Sequence, residues 1–262
     1  MILSLLTGRR AAPSLDDRLA EARTLAERGD YDAALAIWGP LAHQGVARAA
    51  NNVGACFMGG LGVARDEALG LRWLTLAAEG GDPAGQRNLA SACLQGQGCE
   101  PDPAAALHWY RKAAEGGDAP ARDMLSWMLL EGELTPPDPV EARRWAELAA
   151  ADGVASAMTR MGMIFHNALG VERDAALAAS WWAKGVEAGD ADAMAMLGAA
   201  NHLGQGVERD PLRAMTLLVM ARDRGSPLAG TFFGVVRASL SDEAFALAER
   251  LAAEASAEGG AA

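Results

Sequence analysis

Five aspartates, Asp66, Asp102, Asp138, Asp174 and Asp210, fall 36 residues apart, and carboxylates at a fixed spacing invite an acid–base reading. General acid–base work needs two such groups facing one bond. One aspartate per repeated unit puts them in separate layers, too far apart for that. Each one instead precedes a helix-forming run, and Asp102, Asp138 and Asp210 are followed by proline. The chemistry this column suits is local: a carboxylate accepting from orphan amides at a helix start, with proline at the first helical position.

The histidines His166 and His202 are also 36 apart, on equivalent places of two neighbouring units. A metal site would need a third ligand, and the equivalent positions Met58, Leu94 and Leu130 supply none, so neither a metal nor another cofactor is expected. Two readings stay open for the pair: partly exposed helix residues, or groups that grip a partner. Three cysteines, Cys56, Cys93 and Cys99, have no paired spacing. Cys93 stands where other units have an aromatic and Cys99 where they have a loop valine, so both read as small buried hydrophobes. No P-loop, H-E-x-x-H or C-x-x-C is present, and no serine or cysteine has a recognisable base. Catalysis is not expected.

The elements that carry these residues follow from the same period. The stretch from Gly81 to Gly116 overlies itself on a shift of 36 residues. Trp73, Trp109, Trp145 and Trp181 form one column, closed by Leu217, and Gly45, Gly81, Gly117, Gly153, Gly189 and Gly225 form another. A period in the 20–50 range marks a stacked-repeat architecture. Within the unit the spacing predicts helices over 83–95 and 103–115, joined by the glycine-rich loop GQGCEPD. Gly96, with Gly60, Gly132 and Gly204, suits a left-handed cap just past a helix end. Apolar residues recur three and four apart (Leu89 and Cys93; Ala106, Trp109 and Ala113; Ala142, Trp145 and Ala149), which places the tryptophans in the buried stripe. One hairpin alone has too little core, and stacking supplies the missing wall.

The run Gly54, Phe57, Gly60, Gly62, Val63, Asp66, Gly70, Trp73, Ala77 and Ala78, returning as Leu197-Gly198, Gly204, Gly206, Val207 and Asp210, resembles the Sel-one-like repeat (SLR), a relative of the tetratricopeptide repeat. The resemblance covers residues from about Asp30 to Gly225. It implies an all-α fold, a right-handed α-solenoid (superhelix) of stacked helix hairpins with a 36-residue period, and an adaptor role in holding other proteins. The expected domain order is a loose leader at 1–13, a tetratricopeptide-like capping hairpin at 14–45, five SLR units over 46–225, a degenerate C-terminal hairpin cap at 226–256 and a frayed tail at 257–262. Ser14 and Asp17 are expected to cap a first helix to about Arg28, and the last helix to run from Ser241 to near Glu254. The third unit departs from the pattern at Leu134-Thr135-Pro136-Pro137, where drift and a recognition feature are both open readings.

Composition narrows the partners. A formal net charge of −11 repels phosphate backbones, so nucleic acid is not an expected partner. No stretch approaches the roughly 20 apolar residues of a membrane span. The opening Met1 to Leu6 is apolar, but Arg9 and Arg10 come after it, the reverse of a secretory signal, and residues 1–13 read as a loose or docking segment. The cysteines lack the regular placement of the disulfide-rich branch of the family, which favours the cytoplasm.

In stacked hairpins the first helices line the concave side. One step off the core that face carries Arg87, Asp123 and Thr159; then Ser91, Trp127 and Met163; then Leu94, Leu130, His166 and His202. It varies while the core columns stay fixed. The expected partner-binding set is Arg87, Ser91, Asp123, Trp127, Leu130, Met163, His166 and His202, a groove suited to an extended peptide or helix. The alternative for Trp127 is a gap-filler between units. The competing functions are a hydrolase acting on peptide or cell-wall fragments, and a weak homo-oligomer docking through Phe232 and Phe233.

Overall fold

The computed structural model describes residues 13–132 and 135–259, and among these residues there are fourteen helices and no strand. The chain divides into two compact units, one ending at Gly116 and the next beginning at Gly117. The first holds α1 (Leu15–Glu27), α2 (Tyr31–His43), α3 (Ala47–Gly59), α4 (Glu67–Glu79), α5 (Pro83–Gln95) and α6 (Pro103–Glu115). The second holds α7 (Ala119–Glu131), α8 (Pro139–Ala151), α9 (Ala155–His166), α10 (Ala175–Glu187), α11 (Ala191–Leu203), α12 (Pro211–Asp223), α13 (Pro227–Ala238) and α14 (Asp242–Gly259). The leader expected at 1–13 lies outside the described residues except for Pro13, and Leu134 lies outside them too.

Helix ends fall where the caps put them. Asp66, Asp102, Asp138, Asp174 and Asp210 each accept from the backbone N–H three residues on, at 2.9 Å. The amides of the same five aspartates donate to the carbonyls of Phe57, Cys93, Leu129, Phe165 and Asn201 at 2.8–3.1 Å, so each loop closes in the same way. The Pro136-Pro137 loop of the third repeat is no exception. Ser14 and Asp17 form a reciprocal capping box on α1. In the loops the second glycine allows close approach: Gly206 has φ of +73°, and a Cβ there would lie 1.9 Å from the carbonyl oxygen of Ala175, at the start of α10. The paired loop glycines thus serve turn and packing at once.

The core differs from the expected stripe by one residue. Trp145 is buried, but Trp73, Trp109 and Trp181 are only partly covered. Lys112 sits over Trp109 at 5.1 Å, Lys184 over Trp181 at 4.0 Å, and His43 meets Trp73 edge-on. The fully buried column is the next one: Trp38, Leu74, Tyr110, Ala146, Trp182 and Leu218. The physical reason is a division of labour. Within one hairpin Trp182 packs against α9, donating Nε1–H to the Thr159 carbonyl at 3.3 Å and filling the space left by Gly162, where a Cβ would lie 2.2 Å from Nε1. Trp181 instead packs against two small clusters that join Ala146, Ala149 and Ala150 of the preceding hairpin to Ala157, Met161 and Ile164 of α9.

Each unit has its own core. In the first, Ala22, Trp38, Leu41, Val53 and Cys56 join α1 to α3. In the second, a cluster from Ala178 to Ala252 runs through α10 to α14. Ala248 and Ala252 of α14 are buried in it, while Asp242, Glu243, Glu249, Arg250 and Glu254 of that helix are exposed. The helix continues to Gly259, past the end near Glu254 read from the sequence. No helix of the described residues is long and apolar enough to cross a membrane.

Candidate functional site

The first helices of the second unit pack in succession, α7 on α9, α9 on α11 and α11 on α13, so they share one continuous face. On it lies a cavity of about 380 Å³. Leu130 and Glu131 come from the end of α7, and Ser156, Thr159, Arg160 and Met163 from one face of α9. Leu169 follows in the loop, and Asp190, Asp192 and Leu228 come from the starts of α11 and α13. Its volume falls in the range of roughly 300–1,000 Å³ typical of ligand pockets.

Polar residues between layers hold this face in shape. Asp123 is only 8% exposed and accepts from Arg160 at 3.1 Å (Nη2) and 3.2 Å (Nε), and from the Ser156 hydroxyl at 2.7 Å. Thr159 donates to Asp190 Oδ1 at 2.7 Å, the same oxygen that caps α11 through the Ala193 amide. Ser226 donates to Asp192 at 2.5 Å. The first unit repeats the scheme with other residues: Asn88 donates to Asn51 at 2.8 Å, and Arg48 pairs with Asp82 at 2.5 Å. The Asn51–Asn88 and Asp123–Arg160 pairs are both 37 residues apart, one period plus one.

The eight residues expected to bind a partner divide between these surfaces. Leu130 and Met163 line the 380 Å³ cavity. Asp123 lies beneath it, engaged by Arg160 and Ser156. Trp127, on α7, is partly buried and is not among the cavity's lining residues. His166 lines a separate cavity of about 80 Å³ with Trp182, Met196 and Phe232, its ring 5.4 Å from the Trp182 indole. Burial, aided by the charge of Arg173, pushes its pKa down. His202 is partly buried, and its Nδ1 is enclosed without a hydrogen-bond partner. Arg87 and Ser91 belong to the first unit, where Ser91 lines a cavity of about 340 Å³ with Met58 and Asn88. Among the described residues no group of three metal-binding side chains occurs. Phe232 and Phe233 are partly buried against the C-terminal core.

Sequence reasoning missed Asp190, Asp192, Arg160 and Leu228. It passed over Arg160 beside the mid-helix positions it chose, and it left the first turns, with Asp190, Asp192 and Leu228, to capping. Side chains in a helix tilt toward its N-terminus, so first-turn residues reach out over the layer before them. The signal was available: Ser156, Asp192 and Leu228 are one column at the 36-residue period.

A family model described as Sel1 repeat matches five consecutive segments, residues 47–82, 83–118, 119–154, 155–190 and 191–226. Each segment is one hairpin, from a first helix to the cap of the next. Among solved structures, a Sel1 repeat protein from Oxalobacter formigenes is 27% identical, with 83% of this chain and 86% of that chain covered and a TM-score of 0.79. A protective antigen present in uropathogenic Escherichia coli strains, displaying an SLR fold, is 23% identical over 90% of this chain and 67% of that one, with a TM-score of 0.42. No match was found among curated proteins.

Proposed function

The chain belongs to the Sel1 repeat family, and from that premise we propose that it is a non-enzymatic adaptor that holds a peptide or helix of a partner protein on the inner face of its second unit. The observation that carries this reading is the 380 Å³ cavity spread over α7, α9, α11 and α13. Its apolar residues come from α7, α9 with its loop, and α13, while the capped hairpins beneath hold them in fixed positions. Such a surface recognises side chains of an extended or helical segment, the mode in which anchors fill pockets and a rigid scaffold avoids ordering costs. Members of this repeat class act in general through protein interaction. The irregular, free cysteines support a cytoplasmic place of work.

Site-specific photo-crosslinking tests the reading. A benzophenone side chain placed at Met163 is expected to give a discrete protein adduct in cells. The same group at Leu148, which is 38% exposed on α8, is expected to give none. Equal labelling from both positions, or none from Met163, would remove the inner face from the account.

A further inference from the structure

Resting on the assignment of this face as a docking groove, we propose that its occupant is a linear segment of a partner protein that presents an aliphatic side chain flanked by lysine or arginine. The groove has two kinds of wall. Leu130, Met163, Leu169 and Leu228 form the apolar one, sized for anchoring side chains and not for a folded domain. Glu131, Asp190 and Asp192 form the acidic one.

Arg160, the one cation among the described residues of the lining, is already held by Asp123 through two of its nitrogens, so its charge is balanced before any ligand arrives. The aspartates are oriented from within. Asp190 receives Thr159 and the Ala193 amide on Oδ1, and Asp192 receives Ser226 on Oδ1. Fixing one oxygen of each carboxylate leaves the second as an acceptor whose direction is set by the scaffold. A basic side chain flanking an aliphatic anchor meets these acceptors without the groove reorganising, whereas an acidic one meets three like charges. The net charge of −11 adds long-range attraction for a cationic segment, which salt screens.

The test is fluorescence anisotropy of the full chain with two short labelled peptides, one alternating leucine and lysine, the other leucine and glutamate. The lysine peptide is expected to bind, more weakly as salt rises. The glutamate peptide is expected to bind at least about tenfold more weakly, since like charges juxtaposed at an interface are strongly disfavoured. Glu131→Gln with Asp192→Asn should weaken the lysine peptide severalfold at an unchanged melting temperature. Glu147→Gln with Glu187→Gln, exposed on α8 and α10, should leave it unaltered and so separate the groove from the general acidity of the surface.

If the glutamate peptide binds equally well, and Leu130→Ser with Met163→Ser abolishes both, the basic-partner inference fails while the groove stands. Lysine-peptide binding that ignores the Leu130 and Met163 substitutions overturns both, as does its absence. A dimer of the full chain that the same substitutions dissolve would make a second copy the occupant and also overturn the inference.

Discussion

His166 shows how a single side chain in this protein joins packing to pH. Its ring lies against Trp182 in a small apolar cavity, and burial first, then Arg173, disfavours its protonated form. Its folded-state pKa therefore lies below the ordinary histidine value of about 6.5. Between those two values the unfolded chain binds more protons, so this contribution to stability is complete above the ordinary value and is lost as pH falls through the window. Wild type should accordingly lose more stability than His166→Gln when acidified from neutrality to about pH 5, and the NMR titration midpoint of His166 should lie below 6.5. A midpoint at or above that value would contradict the packing described for this ring. At this scale the sequence was readable wherever one residue type recurred. The capping aspartates were plain. The fully buried column was not, because Trp38, Leu74, Tyr110, Ala146, Trp182 and Leu218 share no type, and their sizes are matched to partners such as Gly162 that only packing reveals.

At the scale of the element, the fourth repeat carries an uncompensated departure. The position held by Gly60, Gly96, Gly132 or Gly204 in the other repeats, all at positive φ, is here Ala168 with φ of 57°, one residue beyond the Asn167 cap of α9. A side chain in that left-handed region costs roughly 1–2 kcal/mol. Glycine would relieve the strain but gains freedom in the unfolded chain worth about 0.4–1 kcal/mol. Ala168→Gly should therefore stabilise the protein by about 0.5–1 kcal/mol in urea denaturation. A loss of stability would show that contacts of the Ala168 methyl group outweigh its backbone strain. Helix bounds were legible from caps to a notable degree: α5 and α6 span the 83–95 and 103–115 read from the sequence. The end of α14 was not, because its alanine- and glutamate-rich tail contains no glycine or proline before Gly259.

For the whole molecule, the 36-residue period was enough to read the all-α hairpin architecture from the sequence. The division into two compact units was not legible, since the period runs through Gly116 and Gly117 without interruption. Nor was the acidic wall of the groove, which exists only because the last residue of α7 and the N-cap and first turn of α11 converge. The adaptor account stands on that convergence. Its most direct test is methyl NMR of the full chain titrated with the leucine–lysine peptide. The account predicts shifts confined to Leu130, Met163, Leu169 and Leu228. Shifts centred on Val140 and Leu148 of α8, or none at Met163, would contradict it.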